Sequence, residues 1–355
     1  MITVMSALVA GLATVAAAVG LRALRLPRDA RGPAALTLGL VAGWVVLAAS
    51  GYALTLITIY LLFALGCGLV GALCGRLRLP MLVRLAGVGV LAAALFAFEY
   101  RHGDMYALAS GIWWIVAIVS VFVLTFFGRL PVAPAPASGA AAEEASSWAS
   151  ERALTGVALV AFAWYAVVAY RLPNPGLLTL SLVAFVALGC FWLVARVWGL
   201  RLGDAGVTGL AGLMFALGLY AWMADASVPM AAAPLVLVAA DVAVTLLGRL
   251  ASGRALAGGQ RTLVGRVLGV LEPRDDAGWQ LNIARLGAAP AAWLLVAFTL
   301  VSIAIAAATW VLLWASVTAA IPLVVLAVVY LAASALWRRV AVRRGRPARP
   351  ATSPA

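Results

Sequence analysis

The chain has 355 residues, of which 66% are hydrophobic and only 10% charged, and its formal net charge is +13. Soluble domains carry roughly 25% charged residues, so a water-soluble globule is excluded. A membrane β-barrel is excluded too, because its strands alternate apolar and polar residues and this chain instead has long unbroken apolar runs.

Those runs, about 17–24 residues each, have the length of membrane-crossing helices. The first, "MITVMSALVAGLATVAAAVGLRAL", has no positive leading region and is long enough to span. It reads as a membrane helix rather than a signal peptide. Eleven spans are expected, at about 2–23, 33–50, 54–74, 85–99, 106–127, 153–170, 177–198, 207–224, 228–248, 293–315 and 318–337. The fold class is therefore an all-α polytopic membrane bundle.

Arginine placement orients the spans. Arg25, Arg28 and Arg31 follow the first, and Arg76, Arg78 and Arg84 the third. Arg129 and Arg152 follow the fifth, and Arg196 and Arg201 flank the connection after the seventh. A basic series from Arg249 to Arg285 follows the ninth, and a basic tail the eleventh. Connections after even spans hold only Arg101 and Arg171. This alternation places the N-terminus outside and the C-terminus in the cytoplasm. It also accounts for the positive charge without nucleic acid. The expected organisation is one transmembrane domain over 1–337 and a basic cytoplasmic tail over 338–355. Within it lie a flexible cytoplasmic loop at 128–152, rich in Pro, Ala and Ser, and a long basic loop at 249–292. The segment "QRTLVGRVLGVL" in the latter has the character of a surface helix touching lipid.

Cys67, Cys74 and Cys190 lie in apolar runs and read as small buried hydrophobes; His102 is the sole histidine, which excludes a Cys/His metal site. The candidates for chemistry are acids. Asp204, in "GLRLGDAG" (199–206), stands at the expected cytoplasmic mouth of a helix. It can cap that helix, or hold a metal or phosphate among glycines that admit close approach. Asp241 lies inside an apolar run, where an acid must face the bundle interior or a wet cavity. It either pairs with an arginine such as Arg196 or serves a functional site. Asp29 and Arg31, in the first cytoplasmic loop, are ordinary interfacial charges or join the same inner-side group. Carboxylates and arginines together at such an interface can hold Mg²⁺ and a diphosphate.

On these segments the chain resembles the polyprenyl-phosphate N-acetylhexosamine-1-phosphate transferases. "WGLRLGDAGVTGLAGLMFALGLYA" (198–221) is similar to that family's metal-binding stretch, with Val207 where a serine is usual. "PLVLVAADVAVTLLGRLASGRALAGGQRTLVGRVL" (234–268) keeps Asp241, Thr245, Arg249, Gly253 and Arg261 in step with the next one. Asp29, Arg31 and Gly32 resemble the first-loop pattern. Leu73 and Cys74 stand where the family has an aspartate pair, and Gln260 to Leu263 where it has a histidine run. The resemblance implies an enzyme of the bacterial inner membrane with an eroded active site. Such an enzyme moves a sugar-1-phosphate from a UDP-sugar to a membrane polyprenyl phosphate. It also implies Asp204 as ligand of Mg²⁺ and catalytic residue, and Asp241 as the second catalytic residue. Asp29, Arg31, Arg249 and Arg261 would contact substrate. Two alternatives are a catalytically inactive relative that binds a polyprenyl carrier or a partner enzyme, and a transporter or flippase working through Asp241.

Overall fold

The computed structural model of the chain describes residues 1–24, 28–51, 55–77, 79, 81–102, 140–224, 226, 228–235, 297, 299–308, 325, 328 and 329. In chain order the helices are α1 (Ile2–Ala23), α2 (Arg28–Ala49), α3 (Thr55–Arg76), α4 (Met81–His102), α5 (Ala140–Arg171), α6 (Pro175–Trp198), α7 (Gly203–Met223) and the short α8 (Val228–Ala232). A further apolar helix covers Thr299–Ala308.

Between apolar helices in a membrane no hydrophobic force favours contact, so close approach through small residues does the work. α1 buries Ser6, Ala7, Ala10, Gly11, Thr14 and Ala18, a stripe at three- and four-residue spacing. Gly39 and Gly43 of α2 lie against it. A Cβ on Gly39 would overlap the Thr14 hydroxyl, and Ser6 Oγ donates to the Gly43 carbonyl at 2.6 Å. α6 runs beside α1 in the same direction. Thr3 and Thr179 share a hydrogen bond of 3.0 Å near one end, Gly11 meets Val186 and Cys190 midway, and the Arg22 guanidinium lies over Trp198 at the other.

α7 is the central helix. Every residue from Leu210 to Ala221 is buried, and the helix touches α2, α3, α5, α6 and α8. α3 crosses it antiparallel. Tyr60 stacks on Tyr220 at 4.8 Å between ring centroids, Gly68 faces Gly209, and Gly75 faces Asp204. These contacts bring the C-terminal ends of α1, α3 and α6 to one end of the bundle.

Beyond α7 the helical path breaks. Pro234 has no N–H to offer the Met230 carbonyl, and the Leu235 N–H turns to the Ala232 carbonyl at 2.8 Å. The released carbonyls find side chains. Trp164 Nε1 donates to Met230 and Tyr165 Oη to Ala231, both from α5, and Ser302 Oγ donates to Ala233. Irregular backbone inside a bilayer persists only when it is satisfied in this way.

Two expectations change. Among the described residues six helices, not eleven, are long and apolar enough to cross a membrane. They are Ile2–Ala23, Ala30–Ala49, Thr55–Arg76, Leu154–Arg171, Pro175–Trp198 and Gly203–Met223. Hydropathy counts apolar runs without knowing whether each is one full-length helix. Within the described residues α8 covers Val228–Ala232 before a turn, and the described apolar parts of the fourth and tenth runs are Val83–Phe98, within α4, and Thr299–Ala308. The expected span at 106–127 lies outside the described residues, as do most of 228–248 and 318–337 and both ends of 293–315. The loop at 249–292 and the tail at 338–355 lie outside them too. Second, helix α5 begins at Ala140, inside the segment expected as a loop.

A prediction follows from the α1–α2 contact. Gly39→Val should lower stability by about 3 kcal/mol, because its side chain has to displace α1. Gly20→Ala, with nothing within 4 Å of the new methyl, should be neutral or stabilising by about 0.5–1 kcal/mol. Thermal unfolding midpoints in detergent compare the two, and equal midpoints would contradict the contact.

Candidate functional site

The connection between α6 and α7 is built by its glycines. Gly199 (φ 63°) closes α6, its N–H bonded to the Ala195 carbonyl at 2.9 Å, and Gly203 (φ 56°) opens α7. Positive φ is cheap only without a Cβ, which accounts for both glycines in "GLRLG". Leu200 and Leu202 turn inward and are buried, while Arg201 between them is half-buried. Gly32 of α2 presses on this segment so closely that a Cβ there would overlap the Arg201 carbonyl.

An acid from another helix holds the segment. Glu151 of α5 is 8% exposed. Its Oε2 accepts the Leu202 N–H at 2.8 Å, and its Oε1 lies 3.6 Å from Arg201 Nε. Leu202 is the N-cap position of α7 and makes no side-chain capping bond. Glu151 therefore supplies from α5 the carboxylate that in a capping box comes from the helix itself. Asp204 is not the cap. It occupies the first turn, where a negative side chain suits the helix dipole.

Asp204 accepts hydrogen bonds through its backbone carbonyl, one from its own helix and one from α4. Its carbonyl accepts Thr208 Oγ1 at 2.8 Å and Arg84 Nη2 of α4 at 3.5 Å, and Arg84 Nη2 also donates to Thr208 Oγ1. Arg84 is 1% exposed, the largest side chain buried so fully among the described residues. A cation at such depth is tolerated because carbonyl and hydroxyl oxygens receive it. The Asp204 carboxylate rests on Gly75 of α3, where a Cβ would come within 2.8 Å of Oδ2. At Gly71 a Cβ would come within 2.7 Å of Thr208 Oγ1.

The same end carries exposed cations. Arg22 lies over Trp198 and Arg196 over Trp192, each 5.8 Å from the ring. Arg76 is exposed and Arg31 half-buried. Among the described side chains at this end, guanidinium groups outnumber carboxylates. Such a surface can grip an anion, above all a phosphate, whose oxygens match the guanidinium fork.

The expected site is partly assembled. Arg31, next to Gly32, comes to the same end as Asp204. Asp29 lies in the first turn of α2, its side chain outside the described residues, and Asp241, Arg249 and Arg261 lie outside them altogether. Arg196, a candidate partner for Asp241, is exposed against Trp192. Cys67 and Cys74 are buried free thiols and Cys190 is half-buried.

The Mg²⁺ expectation is corrected. Among the described residues no three His, Cys, Asp or Glu side chains come together as a metal site. The reason is local: Glu151 is taken up by Arg201 and a backbone N–H, and Asp204 faces a glycine. Leu73 is exposed and Cys74 buried where two carboxylates would be needed. Mg²⁺ demands several oxygen ligands in octahedral array, and this donor set does not provide them.

Arg84 and Glu151 are the residues that sequence reasoning missed. Arg84 counted as a loop charge, although "MLVRLAGVGV" sets it one turn into an apolar run. Glu151 opens "ERALTGVALV" at the border of another. A charge just inside such a border is the usable signal, since it needs a partner.

No protein-family model matches the chain, and no curated protein matches it.

The Arg84–Thr208 contact generates a prediction. Thr208→Val should cost about 1–3 kcal/mol by removing an acceptor from a buried cation, and Arg84→Met a similar amount. The double variant should lose less than the sum, as for groups in direct contact. Thermal midpoints of the four proteins measure the coupling, and strict additivity would refute the bond.

Proposed function

We propose that this polytopic helical membrane protein binds the phosphate of a polyprenyl phosphate carrier at the arginine-lined end of its bundle. It does so as a catalytically silent relative of the sugar-1-phosphate transferases, in the bacterial cytoplasmic membrane. The observation that carries the reading is the way the start of α2, the end of α3 and "GLRLGDAG" meet at one end, while Glu151 is committed to a backbone N–H and Arg201 and the Asp204 carboxylate rests on a glycine. In the resembling enzymes the counterpart of "GLRLGDAG" belongs to the metal-binding stretch, and the active site opens to the cytoplasm. Among the described residues of this chain the donors for a phosphate remain and the acidic groups do not converge. The arginine alternation supports placing this end in the cytoplasm, where the carrier's phosphate would lie among headgroups beside the Arg22–Trp198 and Arg196–Trp192 pairs.

The test uses purified protein in phosphatidylcholine vesicles with undecaprenyl phosphate, undecaprenol as the control without phosphate, and a panel of UDP-sugars. The phosphorylated carrier should bind and undecaprenol should not, and Arg201→Gln should weaken binding by about tenfold, or about 1.4 kcal/mol. No UMP should be released. UMP release abolished by Asp204→Asn would overturn the silent reading, and equal binding of the two lipids would overturn the carrier reading.

Orientation is a separate prediction. Cysteines placed at Arg76 and at Ser50, in a background with the three native cysteines replaced by alanine, should react with a membrane-impermeant maleimide from opposite faces. The Arg76→Cys site should label only when the cytoplasmic face is open.

A further inference from the structure

We infer that Glu151 is the positioning residue of this mouth: it holds the segment Gly199–Gly203, and with it the Arg201 guanidinium, in the form that meets an anion. The inference rests on the carrier reading above for its functional consequence, and on contacts alone for its structural part.

The argument begins with what the segment lacks. It joins two helices through two left-handed glycines, each a point where the chain swings easily. Its N-cap residue, Leu202, has no side-chain acceptor for the orphan donors that begin a helix. Left to itself, such a turn samples several arrangements. Three features restrain it. Leu200 and Leu202 are buried, at 6% and 1% exposure. Gly32 closes on the Arg201 carbonyl. The third restraint alone is specific to a polar atom: one Glu151 carboxylate takes the Leu202 N–H on one oxygen and faces Arg201 Nε with the other. In its own helix the Glu151 carbonyl also accepts Thr155 Oγ1 at 2.7 Å.

The geometry divides labour. The Leu202 bond is the shorter contact and the more buried. The 3.6 Å approach to Arg201 leaves that side chain 21% exposed. A carboxylate spread over both contacts orders Arg201 without removing it from the surface. Glu151 thus acts through Arg201 and does not itself touch a ligand.

The test is amide hydrogen exchange on the full-length protein in vesicles, combined with carrier binding. Glu151→Gln keeps the shape and one acceptor oxygen but loses the charge. Exchange over residues 200–204 should rise about tenfold, the loss expected for a hydrogen bond to a charged acceptor. Exchange in α1 and α2 should stay unchanged. Glu151→Asp keeps the charge but falls one methylene short, and should lie between Gln and wild type. For undecaprenyl phosphate, Arg201→Gln should weaken binding about tenfold in the native background and less than twofold in the Glu151→Gln background, because Arg201 is no longer presented. A structural role alone would not produce that split.

Unchanged exchange at 200–204 in Glu151→Gln overturns the inference. So does a rise spread equally over all helices. So does an equal effect of Arg201→Gln in both backgrounds. If the native protein binds no carrier, the proposed function fails, and the exchange comparison still decides the role of Glu151. If Glu151→Gln does not fold, the exchange of Glu151→Asp decides in its place.

Discussion

The close crossing of α3 and α7 is the constraint on which the rest depends. Gly68 and Gly209 bring the two backbones together, and a Cβ on Gly209 would stand 3.3 Å from the Gly68 Cα. Because the helices meet so tightly there, the start of α7 lies against the end of α3. Gly71 and Gly75 then leave room for Thr208 and for the Asp204 side chain. Any larger residue along that seam would push α7 outward and part Arg84 from its oxygens. The polar end of the bundle is thus a consequence of missing methyl groups further along the same two helices.

Burial of charge at that end follows one rule throughout. Arg84 is fully enclosed and is received by a carbonyl and a hydroxyl. Glu151 is enclosed and is received by an N–H and a guanidinium. Isolated charges in a low-dielectric interior are costly, and each of these meets partners that offset the loss of water. Glu151 is spent as a structural acceptor and the Asp204 carboxylate rests on a glycine, on separate helices, and this is why these described carboxylates do not converge on a cation. The arginines nearer the rim rest on tryptophan rings, where an aromatic face and headgroup water stabilise them together.

Much of the helical layout was legible in the sequence because apolar runs and arginine borders are large signals. The six spans found match the positions expected for six of the runs, within a few residues. What hydropathy misses is continuity. Nothing in the apolar count after Val228 marks the turn at 233–235, and the decisive residue is Pro234, which strips the Met230 carbonyl of its usual partner. The segment before Leu154 misled for a different reason. Its first half, with Pro131, Pro134 and Pro136, is incompatible with a helix, but "AAAEEASSWASER" is rich in Ala and Glu, which favour one. Reading both halves as one loop hid Glu151. At the site itself, the sequence pointed to Asp204 and its glycines. It could not tell that Arg84, 120 positions away, would bond to that residue's backbone.

The contacts of α5 have a mechanical consequence. Near one end of α7 this helix holds the Leu202 N–H through Glu151, and beyond the other end it holds the Met230 and Ala231 carbonyls through Trp164 and Tyr165. α7 is pinned ahead of its first turn and behind its last by side chains of a single rod. A piston-like slide of α7 along α5 that carried its flanking residues with it would strain these three bonds. The register of α7 along α5 is thus fixed at both ends by polar contacts.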